Sequence, residues 1–325
     1  MHRRQAALGV AVVLVAILAW GGVAAAAEQY PSRPITFIVP WAAGGGTDTV
    51  ARTLAVLLQD ELGVPVNVVN RTGGGGAVGH TAGAQAPPDG YTITMATVEL
   101  AMMHWMGLTS LTYRDFTPVA QVNFDAAGIT VRADAPWQTL EDLIQAIRQN
   151  PGRYFASGTA TGGIWDLARA GWLKAMGLPV DAVPWVPSTG AAPALQNLLA
   201  GGVDMCTCSL AEAMSLLRAG RVRALALMAD ERDPRFPGVP TLKEKGIAWS
   251  TGAWRGVMVP RATPADRVAR LEAALYKAVH SETYRKFMEE NGFGIVWRES
   301  KAFLDFVADQ DQQFGDLMRA LGLAK

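Results

Sequence analysis

Apolar residues along the chain fall into short blocks that alternate between two periods. Residues 35–40 form a compact apolar run of strand length. Residues 48–62 then place Val50, Leu54, Leu57, Leu58 and Leu62 on one side of a helix. Gly63 and Pro65 end that helix. Residues 66–69 and 92–96 predict two further strands, with a short small-residue helix between them that Pro87 and Pro88 stop. Strand, helix, strand, helix, strand is the order of an α/β unit with a parallel sheet.

After a middle stretch without a clear period the pattern restarts. Residues 139–149 predict a helix with Leu140, Leu143, Ile144 and Ile147 inward. Strands are expected at 154–156, 183–186, 205–208 and 223–228, and helices at 164–176, 191–200 and 210–219. A last strand at 256–259 follows Pro234, Pro237 and Pro240. Helical segments over 264–291, broken near Ser281, and 300–321 finish the chain. Two α/β units are therefore expected, and no internal sequence repeat is evident between them.

The first residues follow a different logic. Arg3 and Arg4 precede an apolar run over 6–20, and the run exits through small residues at 24–27. A basic start, an apolar middle and an alanine-rich exit make a secretory signal. An uncleaved membrane anchor is the competing reading; the alanine-rich exit favours cleavage, placed after Ala27. No Cys lies near that site to carry a lipid. Removing Arg3 and Arg4 leaves 27 basic against 29 acidic side chains. That balance lacks the basic face of a nucleic-acid binder. With 325 residues, half of them hydrophobic, the chain is long enough for two domains. Cys206 and Cys208 sit two apart, near the limit of disulfide reach in a strand, and are expected as buried thiols.

Candidate chemistry concentrates in two loops. Residues 40–48 read Pro-Trp-Ala-Ala-Gly-Gly-Gly-Thr-Asp and join a strand to a helix start. The first backbone N–H groups of a helix lack intrahelical partners, and the helix dipole there favours negative charge. Glycines let that backbone approach a ligand, and Thr47 or Asp48 is expected to cap the helix. A tight turn with a cap is the plainer reading. Residues 157–163, Ser-Gly-Thr-Ala-Thr-Gly-Gly, repeat the arrangement in the second unit. Two such loops at the carboxyl ends of strands suggest one crevice that holds a small anion, most simply a carboxylate. Trp41, beside the first loop, is the tryptophan expected to touch a ligand.

Other chemistry finds little support. Gly74, Gly76 and Gly79 match G-x-G-x-x-G, with Glu99 twenty residues on. However, the following helix is short, and an exported protein would need its dinucleotide delivered. Neither a Walker sequence nor a G-x-S-x-G elbow occurs. His80, His104 and His280 are not spaced as metal ligands. No cofactor and no metal are expected.

An ordered set of segments resembles the substrate-binding proteins of the tripartite tricarboxylate transporter family, the TctC-like or Bug receptors. It comprises Tyr30-Pro31-Ser32-Arg33-Pro34-Ile35, the 40–48 loop, Asn70-Arg71 with the glycines after it, and Pro88-Asp89-Gly90-Tyr91. Further on come Phe116-Thr117-Pro118-Val119-Ala120, the 157–163 loop and Gly201-Gly202-Val203-Asp204. Pro237-Gly238-Val239-Pro240-Thr241-Leu242 and Pro260 with Thr263-Pro264 complete it. No single piece is decisive; the order across nearly the whole mature chain is specific. The resemblance implies a two-lobed type II periplasmic binding fold with a hinge of two crossing strands. It implies capture of a small organic acid between the lobes and delivery to membrane permease subunits, by a periplasmic protein acting as a monomer. Carried over, it assigns Ala43, Gly46, Thr47 and Asp48, with Thr159, Ala160, Thr161 and Gly162, to the ligand carboxylate.

The chain departs from that pattern at Glu99 after the third strand, at Ile164-Trp165-Asp166 after the second loop, and at Arg255. Glu99 follows the carboxyl end of a strand. It is either a solvated loop acid or a cleft residue whose charge needs a partner. Arg255 and a cationic group on an amino-acid-like ligand are the two candidates for that partner. Lobe one is expected to comprise 28–124 and 251–325, and lobe two 125–250. The alternative function is an exported hydrolase or isomerase that uses Asp48, Glu99 or Asp204 on a small organic acid.

Overall fold

The structure, a computed structural model, describes residues 30–325; the signal-like segment and the cut expected after Ala27 lie outside the described residues. Strand β1 (Ile35–Val39) leads into helix α1 (Gly46–Leu62), strand β2 (Val66–Asn70), helix α2 (Ala77–Ala84) and strand β3 (Thr92–Thr97). The three strands pair in parallel, in the order β2-β1-β3. Helix α1 buries Val50, Leu54, Leu58 and Leu62, while Val56 on its outer side is 64% exposed. Each buried leucine contributes about 1.5–3 kcal/mol. Gly63 ends the helix in the left-handed conformation at φ 71°.

The chain then makes a long strand, β4 (Phe116–Ala126), and crosses at Ala127 into β5 (Gly128–Arg132) of a second sheet. Helix α3 (Leu140–Gln149) opens with a Thr139–Asp142 capping box. Strand β6 (Ala156–Ser157), helix α4 (Ile164–Ala175), strand β7 (Trp185–Val186), helix α5 (Ala191–Leu199) and strand β8 (Met205–Cys206) follow. Helix α6 (Met214–Arg218) and strand β9 (Val222–Leu227) complete this half. The second sheet has the order β7-β6-β8-β5-β9. Strand β10 (Gly252–Pro260) returns to the first sheet, between β3 and β4 and antiparallel to both. Helices α7 (Ala265–His280) and α8 (Glu282–Glu290) break at Ser281, whose hydroxyl caps α8. Strand β11 (Arg298–Glu299) and helix α9 (Ser300–Leu321) end the chain.

The fold is thus α/β with two sheets joined by two crossings. At the crossings, Ala127 N–H donates to the Thr251 carbonyl (3.0 Å) and Met228 N–H to the Ala127 carbonyl (2.8 Å). Most elements lie where the apolar pattern places them, but β4 and β5 fall in the stretch that showed no period. In β4, Gln121, Asn123 and Asp125 are buried as completely as Val119 and Val122. A strand covered on both faces loses its alternation, and buried polar residues then hide it further. The helix expected over 210–219 is only Met214–Arg218, because the loop before it folds around Glu212. Cys206 and Cys208 are buried and form no disulfide.

A repeat does exist, in topology. The order β2-β1-β3 of the first sheet and β7-β6-β8 of the second arise from the same β-α-β-α-β path. Sequence identity does not carry it.

Candidate functional site

Both glycine loops enter their helices in the same way. The N-cap residues are Gly45 and Gly163, each extended (ψ 171°) and without a side-chain cap. Thr47 and Asp48 therefore do not cap α1, contrary to the sequence expectation. Instead Asp48, the third helical residue, accepts the Gly44 N–H at 2.9 Å and is held by Arg52 (2.9 Å) and Asn70 (2.8 Å). In the second loop Asp166 accepts the Gly162 N–H at 2.9 Å and pairs with Arg169 at 2.6 Å. Burial pushes the Asp48 carboxyl up, yet its hydrogen bonds from Arg52, the Gly44 N–H and Asn70 outweigh this and hold it below the usual carboxylate range. These aspartates brace the loops from behind and do not face the cleft.

The first N–H of each helix is claimed by a glutamate from the other half of the molecule. Gly46 N–H donates to Glu212 Oε1 (3.2 Å), and Ile164 N–H donates to Glu99 Oε1 (3.3 Å). Glu99 follows β3 and Glu212 follows β8, the third strand of each repeat. The exchange is reciprocal, and it puts the chain's own carboxylates on the two helix starts that were expected to hold a ligand anion. A backbone bond from Ala42 N–H to the Thr189 carbonyl (3.3 Å) adds a third link between the halves.

Behind Glu212 lies Arg255 on β10, 2% exposed. Its Nε donates to Thr47 Oγ1 (3.0 Å), Nη1 to Asn123 Oδ1 (2.6 Å) and Asp125 Oδ2 (2.7 Å), and Nη2 to Glu212 Oε1 (3.2 Å). Two of the buried polar residues of β4, Asn123 and Asp125, thus hold this guanidinium, while Gln121 accepts from Arg298 (2.6 Å). Glu99 joins a different chain of bonds. Trp41 Nε1–H donates to Thr97 Oγ1 (3.2 Å), whose hydroxyl donates to Glu99 Oε2 (2.6 Å). The Thr97 N–H donates to His80 Nε2 (3.1 Å), so His80 carries its proton on Nδ1 and gives it to the Gly76 carbonyl (2.8 Å). Burial lowers the His80 pKa to about 4. It pushes the Glu99 and Glu212 carboxyls up, against the hydrogen bonds to Glu99 and the Arg255 charge beside Glu212.

A narrow cavity of about 20 Å³, room for about one water molecule, lies between the two loops. Of the residues singled out in the sequence, Trp41, Gly46, Thr47, Glu99, Thr159 and Arg255 line it. Ala160 lies in a neighbouring recess that Trp41 also bounds. Ala43 and Thr161 lie outside the lining, with Thr161 exposed on the loop. Gly162 does not line it either; its positive φ (74°) leaves no room for a Cβ beside Met106 Sδ. Asp48 is turned into its brace, and Asp204 accepts the Phe155 N–H at 2.8 Å away from the cavity. The acids proposed for a hydrolase or isomerase, Asp48, Glu99 and Asp204, are consequently not assembled. Glu212 was missed. Its signal was positional, an acid after the third strand of the second unit just as Glu99 follows the third strand of the first.

The model of the tripartite tricarboxylate transporter family receptor matches residues 50–323. The chain belongs to this receptor family. It is a solute-binding receptor, of a family whose members are not enzymes. A TctC solute-binding protein from Polaromonas, solved without ligand, is 37% identical over 90% of this chain and all of that one, with a TM-score of 0.66. The periplasmic binding protein BugD is 28% identical over 91% of this chain and all of its own, with a TM-score of 0.86. MatC from Rhodopseudomonas palustris with bound malate is 30% identical over 88% of this chain and 99% of its own, with a TM-score of 0.81.

Proposed function

We propose that this receptor is periplasmic, freed by cleavage near Ala27, and captures one small organic acid or amino-acid-like molecule in the cavity between the loops. It then hands that ligand, unchanged, to the permease subunits of a tripartite transporter. Residues 28–124 and 251–325 form one lobe and 125–250 the other, hinged where the chain crosses between sheets. Of the residues singled out in the sequence, Trp41, Gly46, Thr47, Glu99, Thr159 and Arg255 contribute to the ligand site. The observation that carries this reading is the pair of mirrored helix starts facing one cavity, in a chain whose relative MatC holds malate.

Lobe closure on the ligand is part of the proposal. The ligand-free Polaromonas protein shares more sequence with this chain than malate-bound MatC does, yet superposes less well. That order is the one expected where lobe disposition, not fold, separates structures, and it supports hinged closure. Native mass spectrometry of protein purified without refolding tests the reading directly. One small molecule per chain, released unchanged, is expected, with a smaller radius of gyration in solution when it is bound. Turnover of the bound molecule would instead restore the enzyme alternative.

A further inference from the structure

The cavity between the loops has room for about one water, too little for the body of any ligand. A second recess, of about 230 Å³, shares Trp41 with it. Both halves of the molecule wall this recess. Gly73, Gly74 and Gly75 come from the turn after β2, and Ala160 and residues 187–189 from the loops after β6 and β7. The two walls approach each other closely, since a Cβ on Gly75 would stand 3.6 Å from the Ala160 Cβ. Space that both halves enclose, next to the two helix starts, is where a ligand has room.

The recess differs in chemistry from the inner cavity. Glu99, Glu212 and Arg255 line the inner cavity, whereas no charged side chain lines the recess. Its polar side chains are mostly spent. The Trp41 indole N–H donates to Thr97 (3.2 Å) and the Ser188 hydroxyl to the Gly190 carbonyl (3.0 Å), which leaves the exposed Thr189. Apolar surface also stands against the glycine wall. Leu108, 45% exposed, has its Cδ1 3.3 Å from the place of a Cβ on Gly75. Val78, 50% exposed, is likewise 3.1 Å from Gly73. Large apolar side chains left to solvent beside a concave, uncharged wall mark a binding surface. A charged group entering there would leave water without finding a counter-ion, while an apolar group would gain by burial.

We propose that the ligand is an acid with one charged end, and that its uncharged, largely apolar body lies in this recess against Trp41. This rests on the receptor reading above, with the acid group turned towards the inner cavity. It narrows the ligand to monoacids with an aliphatic or aromatic body. An acid with a second charge at its far end would carry that charge into the recess unpaired. Trp41 and Ala160, as uncharged walls, thereby set specificity.

Calorimetry with matched pairs tests this. Succinate is compared with butyrate, adipate with hexanoate, and terephthalate with 4-methylbenzoate; within each pair the far end changes from carboxylate to methyl. In the pair whose length fits, the methyl-ended member is expected to bind at least about tenfold tighter. Ala160→Leu, at a half-buried position in the recess wall, fills the space. It is expected to weaken that member at least about tenfold and to leave the urea midpoint unchanged. A diacid that binds as tightly as its methyl-ended partner overturns the proposal. So does a preference that Ala160→Leu leaves unchanged, or the failure of every methyl-ended probe to bind. Diacid binding would still be receptor behaviour, so the broader reading would survive. Chemical conversion of a probe would take down that reading instead.

Discussion

Asp48 and Asp166 occupy the same place in two copies of one device. Each is the third residue of a helix capped by glycine. Each accepts the N–H four residues before it, from Gly44 and Gly162, and each is held by an arginine of its own helix. The carboxylate fixes the loop so that the first helical N–H points across the cleft. For Asp166, 5% exposed and hydrogen-bonded to Arg169 at 2.6 and 2.9 Å, replacement by Ala leaves a buried guanidinium unpaired. A loss of about 3–5 kcal/mol is expected from urea unfolding. A loss below about 1 kcal/mol would show that the loop does not depend on this brace.

Arg255 is the pin between β10, β4 and Glu212. Arg255→Met strands Asp125 and Glu212 and should cost about 3–5 kcal/mol. Arg255→Lys keeps the charge but offers a point donor in place of a fork with four acceptors, so it should recover only part of that stability. Equal midpoints for Lys and Arg in a urea titration would refute the pin.

Gly46 has no space for a side chain. A Cβ there would stand 2.7 Å from Arg255 Nη2 and 2.8 Å from Glu212 Oε1. Gly46→Val should break the cross-cleft contact and weaken ligand binding by at least about tenfold, a cost of about 1.4 kcal/mol, with helix content unchanged by circular dichroism. Thr161→Ala, on an exposed loop position, should stay within about 0.5 kcal/mol of the parent protein. If the Val variant binds normally, the cavity is not the ligand site.

His80 gives stability a pH signature. Its folded pKa of about 4 lies below the ordinary value of 6.5, so between those pH values the unfolded chain binds more protons. Its contribution is therefore complete above pH 6.5 and is lost as pH falls towards 4. It amounts to about 3 kcal/mol over the whole window. The raised Glu99 and Glu212 carboxyls act in the opposite sense, gaining stability as pH falls. The His80 part is isolated by comparing the parent with His80→Gln at pH 7.5 and pH 5. The parent should lose more stability on acidification, and parallel losses would show that His80 does not titrate there.

The apolar pattern by itself determined both β-α-β-α-β units, the break of the last helices at Ser281 and the 300–321 helix. Amphipathic periodicity is local, and each of these elements buries one continuous face. The ordered motifs pointed to the receptor family, and the two glycine loops to the cleft. Only the tertiary structure decided what fills those loops. The strand β4 was hidden because Asn123 and Asp125 are buried against Arg255, a partner about 130 residues away in sequence, and Gln121 against Arg298. Thr47 and Asp48 read as caps because their residue types fit, whereas the N-cap is Gly45 and Asp48 turns back to the Gly44 N–H. Glu212 could not be read as a cleft residue from its neighbours, since its role comes from a helix start 166 positions earlier in the chain. Charge pairing across a hinge is a property of two surfaces brought together, and no periodicity along one segment encodes it.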